Sequence, residues 1–255
     1  MVTLSVVMPV FNEAKTVEAV VRRILSDVPY DLELIIVDDG STDGTAEILD
    51  AVASLDSRIH VVHQHNTGKA GALKRGFQLS SGEVVIIQDG DLEYDPAEIT
   101  HVVEPILRGR ADVTYGSRFM VRRAARVLYF YHYVANRFLT LLSNALTNLN
   151  MTDIETGYKA FRGEIIRNLI IVSTGFGIEI EITAKVAKLD AVIYEVPISY
   201  YGRTYEEGKK IGFWDGVFAL WYILRFNLFC NLNRSFRVIP KTHAITPGFS
   251  QRSTH

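Results

Sequence analysis

Short apolar runs alternate with amphipathic segments through the first half of this chain, and this alternation constrains the fold more than any other feature. Four runs are predicted to be buried strands: Leu4–Met8, Leu34–Val37, Ile59–Val62 and Val84–Ile87. Helical spacing of apolar residues follows each of them, as it does over residues 14–27. Strands that are apolar throughout and separated by helices are typical of a mostly parallel sheet covered by helices on both faces. We therefore expect a Rossmann-like α/β fold.

The second half of the chain is less regular, with no internal repeat and no composition break that marks another domain. The pattern predicts strands at Val113–Tyr115, Tyr158–Phe161 and Val192–Ile198, and helices at Val127–Leu149, Ile178–Leu189 and Phe213–Leu232. Pro197 favours an edge position for the last strand. We expect residues 1–232 to form one domain that ends in an amphipathic helix. Residues 233–255 are expected to be a flexible basic tail.

Composition places the chain among ordinary globular proteins, with 48% apolar and 22% charged residues. Its single cysteine, Cys230, excludes an intrachain disulfide, and residues 1–9 lack the basic start of a signal peptide. We therefore expect a reducing, cytoplasmic location. The net charge of −2 hides a basic stretch, because residues 108–137 hold seven arginines and one acid. Such a stretch suits phosphate groups or an anionic surface.

Polar and acidic residues follow three of the predicted strands. These are Pro9-Val10-Phe11-Asn12-Glu13, Asp38-Asp39-Gly40-Ser41 and Asp89-Gly90-Asp91-Leu92-Glu93. In open α/β sheets, ligands bind outside the carboxyl ends of the strands, so these segments are expected to meet at one edge. Asp43 and Asp95 are expected to serve as turn or helix caps instead.

Asp89-Gly90-Asp91 is the sharpest chemical signal. Two carboxylates flanking a glycine can approach one cation, and hard oxygen ligands suit Mg²⁺ or Mn²⁺ together with diphosphate oxygens. An EF-hand is excluded, because Tyr94 and Thr100 stand where that loop needs glycine and glutamate. The glycine patterns of a P-loop and of a dinucleotide-binding turn are also absent. Phosphate binding here is therefore predicted to depend on a metal.

These segments resemble the GT-A fold of family 2 glycosyltransferases. The resemblance covers about residues 3–232 and includes Asn66-Thr67-Gly68-Lys69-Ala70-Gly71-Ala72. Downstream, Gly116-Ser117-Arg118 and the segment from Thr152-Asp153 to Thr156-Gly157-Tyr158 are similar to the dolichyl (polyprenyl) phosphate mannose or glucose synthases. Relatives often have Asp-Ala-Asp followed by Leu-Gln, so Gly90 and Glu93 are departures from the family pattern.

The resemblance implies a role for each matched residue. It implies that the nucleotide is bound by Pro9, Phe11, Glu13, Asp39, Lys69, Asp89 and Gly90. It implies that the metal is held by Asp89 and Asp91, with Glu93 as an additional ligand. It assigns phosphate contacts or catalytic roles to Asp91, Arg118, Asp153 and Glu181. Separately, the mixed charges and two glycines of residues 201–210 make Arg203 a candidate to close on the diphosphate. Glu179 and Lys209 or Lys210 are weaker candidates for the acceptor and the diphosphate respectively.

The resemblance implies transfer of a hexose from GDP-mannose or a UDP-hexose such as UDP-glucose to polyprenyl or dolichyl phosphate, with inversion. A phosphate acceptor is already anionic at neutral pH and barely needs a base. If the acceptor is instead a hydroxyl of a glycan or small molecule, Asp153 or Glu181 is the candidate base. A catalytically silent nucleotide-sugar binding protein at a membrane is a further alternative.

Two predicted helices offer aromatic faces to a membrane surface. They are Val127–Leu149 and Phe213–Leu232, with Arg122, Arg123 and Arg126 close by in the sequence. Such faces suit peripheral attachment to the cytoplasmic side of an anionic membrane, and packing into the protein core is the alternative. No nucleic-acid partner is expected, and the oligomeric state stays open.

Overall fold

The computed structural model describes residues 3–120, 129–175, 177–202 and 213–242. Seven strands form one sheet in the order β3-β2-β1-β4-β6-β5-β7. The strands are β1 Leu4–Val10, β2 Leu32–Asp38, β3 Ile59–His63, β4 Val84–Ile87, β5 Val113–Ser117, β6 Lys159–Arg162 and β7 Ile193–Pro197. All neighbours are parallel except β6, which is antiparallel to both β4 and β5. The expected mostly parallel sheet is confirmed.

Helices lie between successive strands and after the last strand. They are α1 Val17–Asp27, α2 Thr45–Ala53, α3 Gly68–Leu79, α4 Ile99–Leu107, α5 Phe130–Thr147, α6 Gly163–Asn168, α7 Gly177–Val186, α8 Phe213–Leu228 and α9 Leu232–Ser235. Short 3₁₀ turns at Pro96–Glu98 and Ala187–Leu189 precede α4 and follow α7. Asp95 caps the first of these turns by accepting a hydrogen bond from the Ala97 N–H at 3.0 Å, as expected.

The sheet is buried on both faces, as its continuous apolar strands require. In β2, Leu34 and Ile36 belong to the core on one face, while Ile35 and Val37 pack against Ala72 of α3 on the other. Successive side chains of a strand point to opposite faces, so a strand covered on both sides must be apolar at every position. Burial of each such side chain contributes about 1.5–3 kcal/mol to the stability of the folded state.

The strand order brings three strand ends to one edge. Val10 at the end of β1 is in register with Asp38 of β2, and Ile87 at the end of β4 pairs beside Val7. The polar segments that follow these strands therefore meet. Strand β7 lies at the outer edge of the sheet, which is where Pro197 is tolerated.

The expected start of the flexible tail is wrong. Phe236 is buried and forms a β-bridge with Leu169, and the Arg237 N–H donates to the Asn168 carbonyl oxygen at 2.8 Å. The chain therefore packs on the domain as far as residue 242, and residues 243–255 lie outside the described part. Within the described ranges, no helix combines the length and the apolar character needed to cross a bilayer.

Candidate functional site

Hydrogen bonds join the loop after β1 to the loop after β2. The Asn12 N–H donates to Ser41 Oγ at 2.9 Å, and Asn12 Oδ1 accepts from the Thr42 N–H at 2.8 Å. The Glu13 N–H donates to Thr45 Oγ1 at 3.0 Å. Asn12 adopts a left-handed backbone with φ of 56°, which asparagine tolerates better than most residues. The two loops therefore form one rigid wall of the cleft.

Pro9, Phe11 and Glu13 lie on this wall. Pro9 is partly exposed at the end of β1, and the Phe11 ring is 38% exposed. Thr16 Oγ1 donates to the Gly90 carbonyl oxygen at 2.8 Å and so links this wall to the acidic segment after β4. The structure brings these residues together, and their contact with a nucleotide base and ribose stays a prediction.

Asp39 is buried and bound by protein donors. Its carboxylate accepts the backbone N–H groups of Thr67 at 2.9 Å and Gly68 at 2.7 Å, and the Gln64 side-chain amide at 2.7 Å. A carboxylate bound in this way has little accepting capacity left. Asp39 therefore fixes the beginning of α3, the helix that carries Lys69, and its expected contact with the nucleotide stays a prediction.

Lys69 bridges two acids at the centre of the cleft. Its Nζ lies 3.0 Å from Asp89 Oδ1 and 3.2 Å from Glu179 Oε1. Burial disfavours the charged ammonium, but the charges of Asp89 and Glu179 outweigh it and hold the pKa of Lys69 well above its ordinary value. Lys69 is thus a permanent cation beside Asp89, and its expected contribution to nucleotide binding stays a prediction.

Gly157 passes directly behind Asp89. A Cβ atom at this position would lie 2.8 Å from Asp89 Oδ2 and 3.4 Å from Lys69 Nζ. The Gly157 N–H donates to the Tyr94 hydroxyl oxygen at 3.0 Å, which holds the backbone in this place. The glycine of the Thr156-Gly157-Tyr158 motif is therefore required by the close approach of the backbone to the acidic centre.

Asp91 and Glu93 belong to one tight turn. Asp91 Oδ1 accepts the Glu93 N–H at 3.1 Å, and Leu92 between them has a left-handed φ of 61°. Glu93 Oε2 accepts the Tyr200 hydroxyl at 2.8 Å. Among the described residues, no three acid, histidine or cysteine side chains gather into a metal-binding group. The expected role of Glu93 as an additional metal ligand stays a prediction. Asp89 and Asp91 fit the pattern in which Mg²⁺ takes one or two carboxylates plus waters and phosphates.

Arg118 forms a two-point ion pair with Asp153. Its Nε lies 2.6 Å from Asp153 Oδ2 and its Nη2 lies 2.8 Å from Oδ1. Burial alone would raise the pKa of Asp153, but the charge and hydrogen bonds of Arg118 outweigh burial and hold that pKa below its ordinary value. Asp153 is fully buried, so its expected role as a base is corrected. It orients Arg118, whose guanidinium group lies over the aromatic rings of Tyr200 and Phe119.

Glu181 does not face the cleft. It is fully buried and accepts the backbone N–H groups of Val172 and Ser173, and it forms an ion pair with Lys185. Its oxygens hold the chain that leads into α7, so the expected acceptor role is wrong for this residue. Glu179, two positions earlier, is the acid of α7 that reaches the cleft, through Lys69.

Glu155 and Lys159 are site residues that the sequence did not single out, although they flank the Thr156-Gly157-Tyr158 motif. Lys159 is buried and donates to the carbonyl oxygens of Ile154 and Thr156, and burial lowers its pKa to about 8. Burial, followed by the charge of Glu179, raises the pKa of Glu155 to about 7. Arg203, Lys209, Lys210 and the arginines at 122, 123 and 126 lie outside the described residues, and their roles stay predictions.

The chain is similar to known glycosyltransferases. The model for glycosyl transferase family 2 matches residues 5–170. The chain is 30% identical over 218 residues to an undecaprenyl-phosphate mannosyltransferase of Micrococcus luteus, covering 81% of this chain and 86% of that protein. It is 30% identical over 217 residues to a polyprenol monophosphomannose synthase of Mycolicibacterium smegmatis, covering 81% of this chain and 80% of that protein.

A solved structure shares the architecture. Glucosyl-3-phosphoglycerate synthase from Mycobacterium tuberculosis, crystallised with Mn²⁺, uridine diphosphate and phosphoglyceric acid, superimposes with a TM-score of 0.68 at 25% identity. The match covers 89% of this chain and 78% of that one. With the family match, it confirms the GT-A fold expected from the sequence.

Proposed function

This chain belongs to glycosyl transferase family 2, and we propose that it transfers a hexose from a nucleotide sugar to polyprenyl or dolichyl phosphate. The donor is GDP-mannose or a UDP-hexose such as UDP-glucose. The observation that carries the proposal is the pairing of one acidic centre, Asp89 with Asp91, with an oriented cation, Arg118, in one cleft. The two mannosyl-transferring relatives, both named for a polyprenyl acceptor, support this choice.

Asp89 and Asp91 are the residues that hold Mg²⁺ or Mn²⁺ in this proposal. Their carboxylates are hard oxygen ligands at the end of β4, and the structural neighbour was crystallised with Mn²⁺ and uridine diphosphate. The metal, when bound, neutralises the negative charge that develops on the departing nucleoside diphosphate. Lys69, held at Asp89, adds a permanent positive charge on the protein side of the same oxygens.

Arg118 is the residue proposed to bind phosphate. Its Nε and Nη2 are committed to Asp153, which fixes the plane of the guanidinium and directs Nη1 away from that carboxylate. A guanidinium oriented in this way binds phosphate oxygens with defined geometry. We assign it to the acceptor phosphate or to the diphosphate of the donor.

The state of the expected bases favours a phosphate acceptor over a hydroxyl. Asp153 and Glu181 are both buried and occupied by protein donors. A lipid phosphate has a second pKa near about 6 and is an anionic nucleophile at neutral pH without help from a base. A single in-line displacement by this oxygen inverts the anomeric carbon.

Helices α5 and α8 pack against each other and form the proposed membrane face. Their exposed apolar side chains include Phe130, Tyr131, Phe138, Leu141, Phe218, Trp221, Leu228 and Phe229. No acidic residue occurs over residues 129–149 or 216–242, whereas Arg137, Arg225 and Arg234 do. Apolar aromatic surface with nearby cations favours peripheral attachment to anionic lipid, where a polyprenyl phosphate resides.

A donor panel tests the proposal. GDP-mannose, UDP-glucose and other UDP-hexoses are each incubated with the protein and Mg²⁺ or Mn²⁺, with and without polyprenyl phosphate, and released nucleoside diphosphate is measured. We expect one donor to give release that depends on the lipid phosphate. Release that needs a soluble hydroxyl acceptor would support the alternative acceptor, and binding of a donor without any release would support a silent binding protein.

A further inference from the structure

Tyr200 lies between the two charged halves of the cleft. Its hydroxyl donates to Glu93 Oε2 at 2.8 Å. Its ring centroid lies 5.2 Å from Cζ of Arg118, and a guanidinium within about 6 Å of an aromatic ring is attracted to the face of that ring. One side chain therefore contacts both the turn that carries Asp91 and the arginine proposed to bind phosphate.

The backbone on both sides of Tyr200 is held in place without its side chain. Tyr200 follows β7, which is parallel to β5, so the chain leaves the sheet at the edge where the cleft lies. Before it, the Ser199 N–H and hydroxyl donate to the two carboxylate oxygens of Glu98 at 2.8 and 2.9 Å. After it, the Tyr201 N–H donates to the Glu93 carbonyl oxygen at 2.9 Å. A substitution of Tyr200 therefore changes side-chain contacts and leaves this segment anchored.

The hydroxyl of Tyr200 acts on Asp91 through Glu93. A phenol is protonated at neutral pH and a carboxylate only accepts, so Tyr200 is the donor of their hydrogen bond. The Glu93 N–H donates in turn to Asp91 Oδ1 at 3.1 Å. Leu92 between them has a left-handed φ of 61°, which costs energy for a residue with a branched side chain and persists only where neighbouring contacts hold it. The hydrogen bond from Tyr200 is one of those contacts.

The ring of Tyr200 acts on Arg118 directly. Asp153 holds the guanidinium by its edge, through Nε and Nη2. The Tyr200 ring is a separate contact, and it packs in turn against the ring of Tyr94, with the two centroids 5.4 Å apart. Arg118 is therefore held by an ion pair and, independently of that pair, by an aromatic ring that is itself fixed.

We propose that Tyr200 is a positioning residue that sets the separation between the acidic centre and Arg118. Its hydroxyl fixes the turn of Asp91, its ring fixes the guanidinium, and either contact can be removed without the other. The roles of the two sides in binding metal and phosphate rest on the proposed function. The contacts of Tyr200 do not, because they are present in the free protein.

Two substitutions separate the two contacts. Tyr200→Phe removes the hydroxyl and keeps the ring, whereas Tyr200→Leu removes both. Tyr201→Phe and Tyr201→Leu are the matched controls, because the Tyr201 side chain is 54% exposed and the residue contacts Glu93 through its backbone. Urea unfolding shows whether each variant is folded, and Tyr200→Met, which fills more of the volume, replaces Tyr200→Leu if that variant is not.

Nuclear magnetic resonance of the free protein tests the contacts themselves. The Arg118 Nε–H resonance is assigned by its loss in Arg118→Lys. We expect it to move in Tyr200→Leu, because the ring current is lost, and to stay near its wild-type position in Tyr200→Phe and in both controls. The backbone N–H resonance of Glu93 should move in Tyr200→Phe. An unmoved Arg118 resonance in Tyr200→Leu, or an unmoved Glu93 resonance in Tyr200→Phe, overturns the proposal.

Kinetics test the consequence for the reaction. In Tyr200→Phe we expect the Mn²⁺ concentration for half-maximal activity to rise about 10-fold, the lower end of the range for residues that support a metal ligand, while kcat at saturating metal changes less. Tyr200→Leu should in addition raise, about 5-fold, the KM of whichever substrate is weakened in Arg118→Lys, because the cation–π contact is lost.

An unchanged metal requirement in Tyr200→Phe overturns the positioning role. The same holds if Tyr200→Phe raises the substrate KM as much as Tyr200→Leu does, or if the Tyr201 controls reproduce either effect. Absence of any active donor bears on the proposed function alone, because the resonances of the free protein still decide whether Tyr200 holds Glu93 and Arg118.

Discussion

The guanidinium of Arg118 donates two hydrogen bonds, of 2.6 and 2.8 Å, to the fully buried carboxylate of Asp153. This pair connects the end of β5 to the segment that carries Gly157, and so joins the proposed phosphate-binding side of the cleft to the acidic centre. The fork of arginine matches a carboxylate on one side and leaves its other edge for phosphate. The pair therefore determines the direction from which an anion can approach Arg118.

Arg118→Lys tests this orientation. Lysine keeps the charge and loses the planar fork, so we expect kcat/KM to fall about 10–100-fold, the loss of roughly 1.4–3 kcal/mol of phosphate binding. Steady-state kinetics with varied donor and varied acceptor show which substrate is affected. Arg22→Lys is the matched control, because Arg22 lies on the exposed face of α1 and pairs with Glu18. Equal kinetics for Arg118→Lys and wild type would contradict the assignment.

Asp153→Asn tests the other half of the pair. We expect a stability loss of about 1–3 kcal/mol at neutral pH, because a buried arginine loses its charged partner. The pKa of Asp153 lies below its ordinary value, so its contribution is present above that value and is lost as the pH falls through the folded pKa. Urea unfolding at neutral and strongly acidic pH should show the two proteins converging in acid. A stability difference that stays constant with pH would contradict the ion pair as its cause.

Gly157→Ala tests the packing behind Asp89. The added methyl carbon would lie 2.8 Å from Asp89 Oδ2, so the carboxylate must move. We expect activity to fall about 100-fold, since a displacement near 1 Å at a reacting centre costs that much. Gly216→Ala is the control, because a Cβ atom there meets nothing within 4 Å. Wild-type activity in Gly157→Ala would show that the position of Asp89 is not critical.

Much of the fold was predictable because each strand or helix leaves its own pattern of apolar residues within a short stretch of sequence. A strand covered on both faces must be apolar throughout, so β1, β2 and β4 and the polar segments after them were recognisable from the sequence. The antiparallel insertion of β6 between β4 and β5 was not, because pairing direction depends on the path of the chain between elements. The predicted start of the tail was wrong because Phe236 packs on Leu169, and a contact between residues so far apart in the sequence leaves no local pattern.

The site was predictable in composition and less so in geometry. Glu179 and Glu181 are two residues apart on α7, which places them about 200° apart around the helix axis. One reaches Lys69 in the cleft and the other is buried against Lys185. Likewise Asp39 and Asp89 both follow strands, yet the first binds the N–H groups of Thr67 and Gly68. A motif names such residues, and only the fold decides which way each carboxylate faces.

Asp39→Ala separates the structural role of this carboxylate from its predicted contact with the nucleotide. The substitution removes the acceptors that hold the beginning of α3, and we expect a stability loss of about 1–3 kcal/mol. Donor affinity should fall as well, because α3 carries Lys69. Urea unfolding and calorimetric titration with the donor measure the two effects. Weakened binding with unchanged stability would contradict the structural role and support a direct contact between Asp39 and the nucleotide.

Charge substitutions on the exposed helices test the membrane face. Leu141 is 67% exposed on α5, and Leu141→Glu should reduce sedimentation with anionic vesicles and leave the melting temperature nearly unchanged. Leu55→Glu is the matched control, because Leu55 is 76% exposed after α2, away from this face. High salt should release part of the wild-type protein, since it screens charge attraction. Wild-type protein that ignores vesicles at low salt would rule this face out.

The most direct measurement identifies the lipid product by mass spectrometry after incubation with polyprenyl phosphate, the active nucleotide sugar and Mg²⁺ or Mn²⁺. The predicted result is a polyprenyl phosphate heavier by one hexose residue. It should be lost in EDTA and reduced about 100-fold or more in Asp91→Asn, which removes one anionic ligand with little change of shape. An unchanged lipid, with the hexose found on a soluble hydroxyl acceptor, would contradict the proposed acceptor. Full lipid product in EDTA or in Asp91→Asn would contradict the metal-centred reaction.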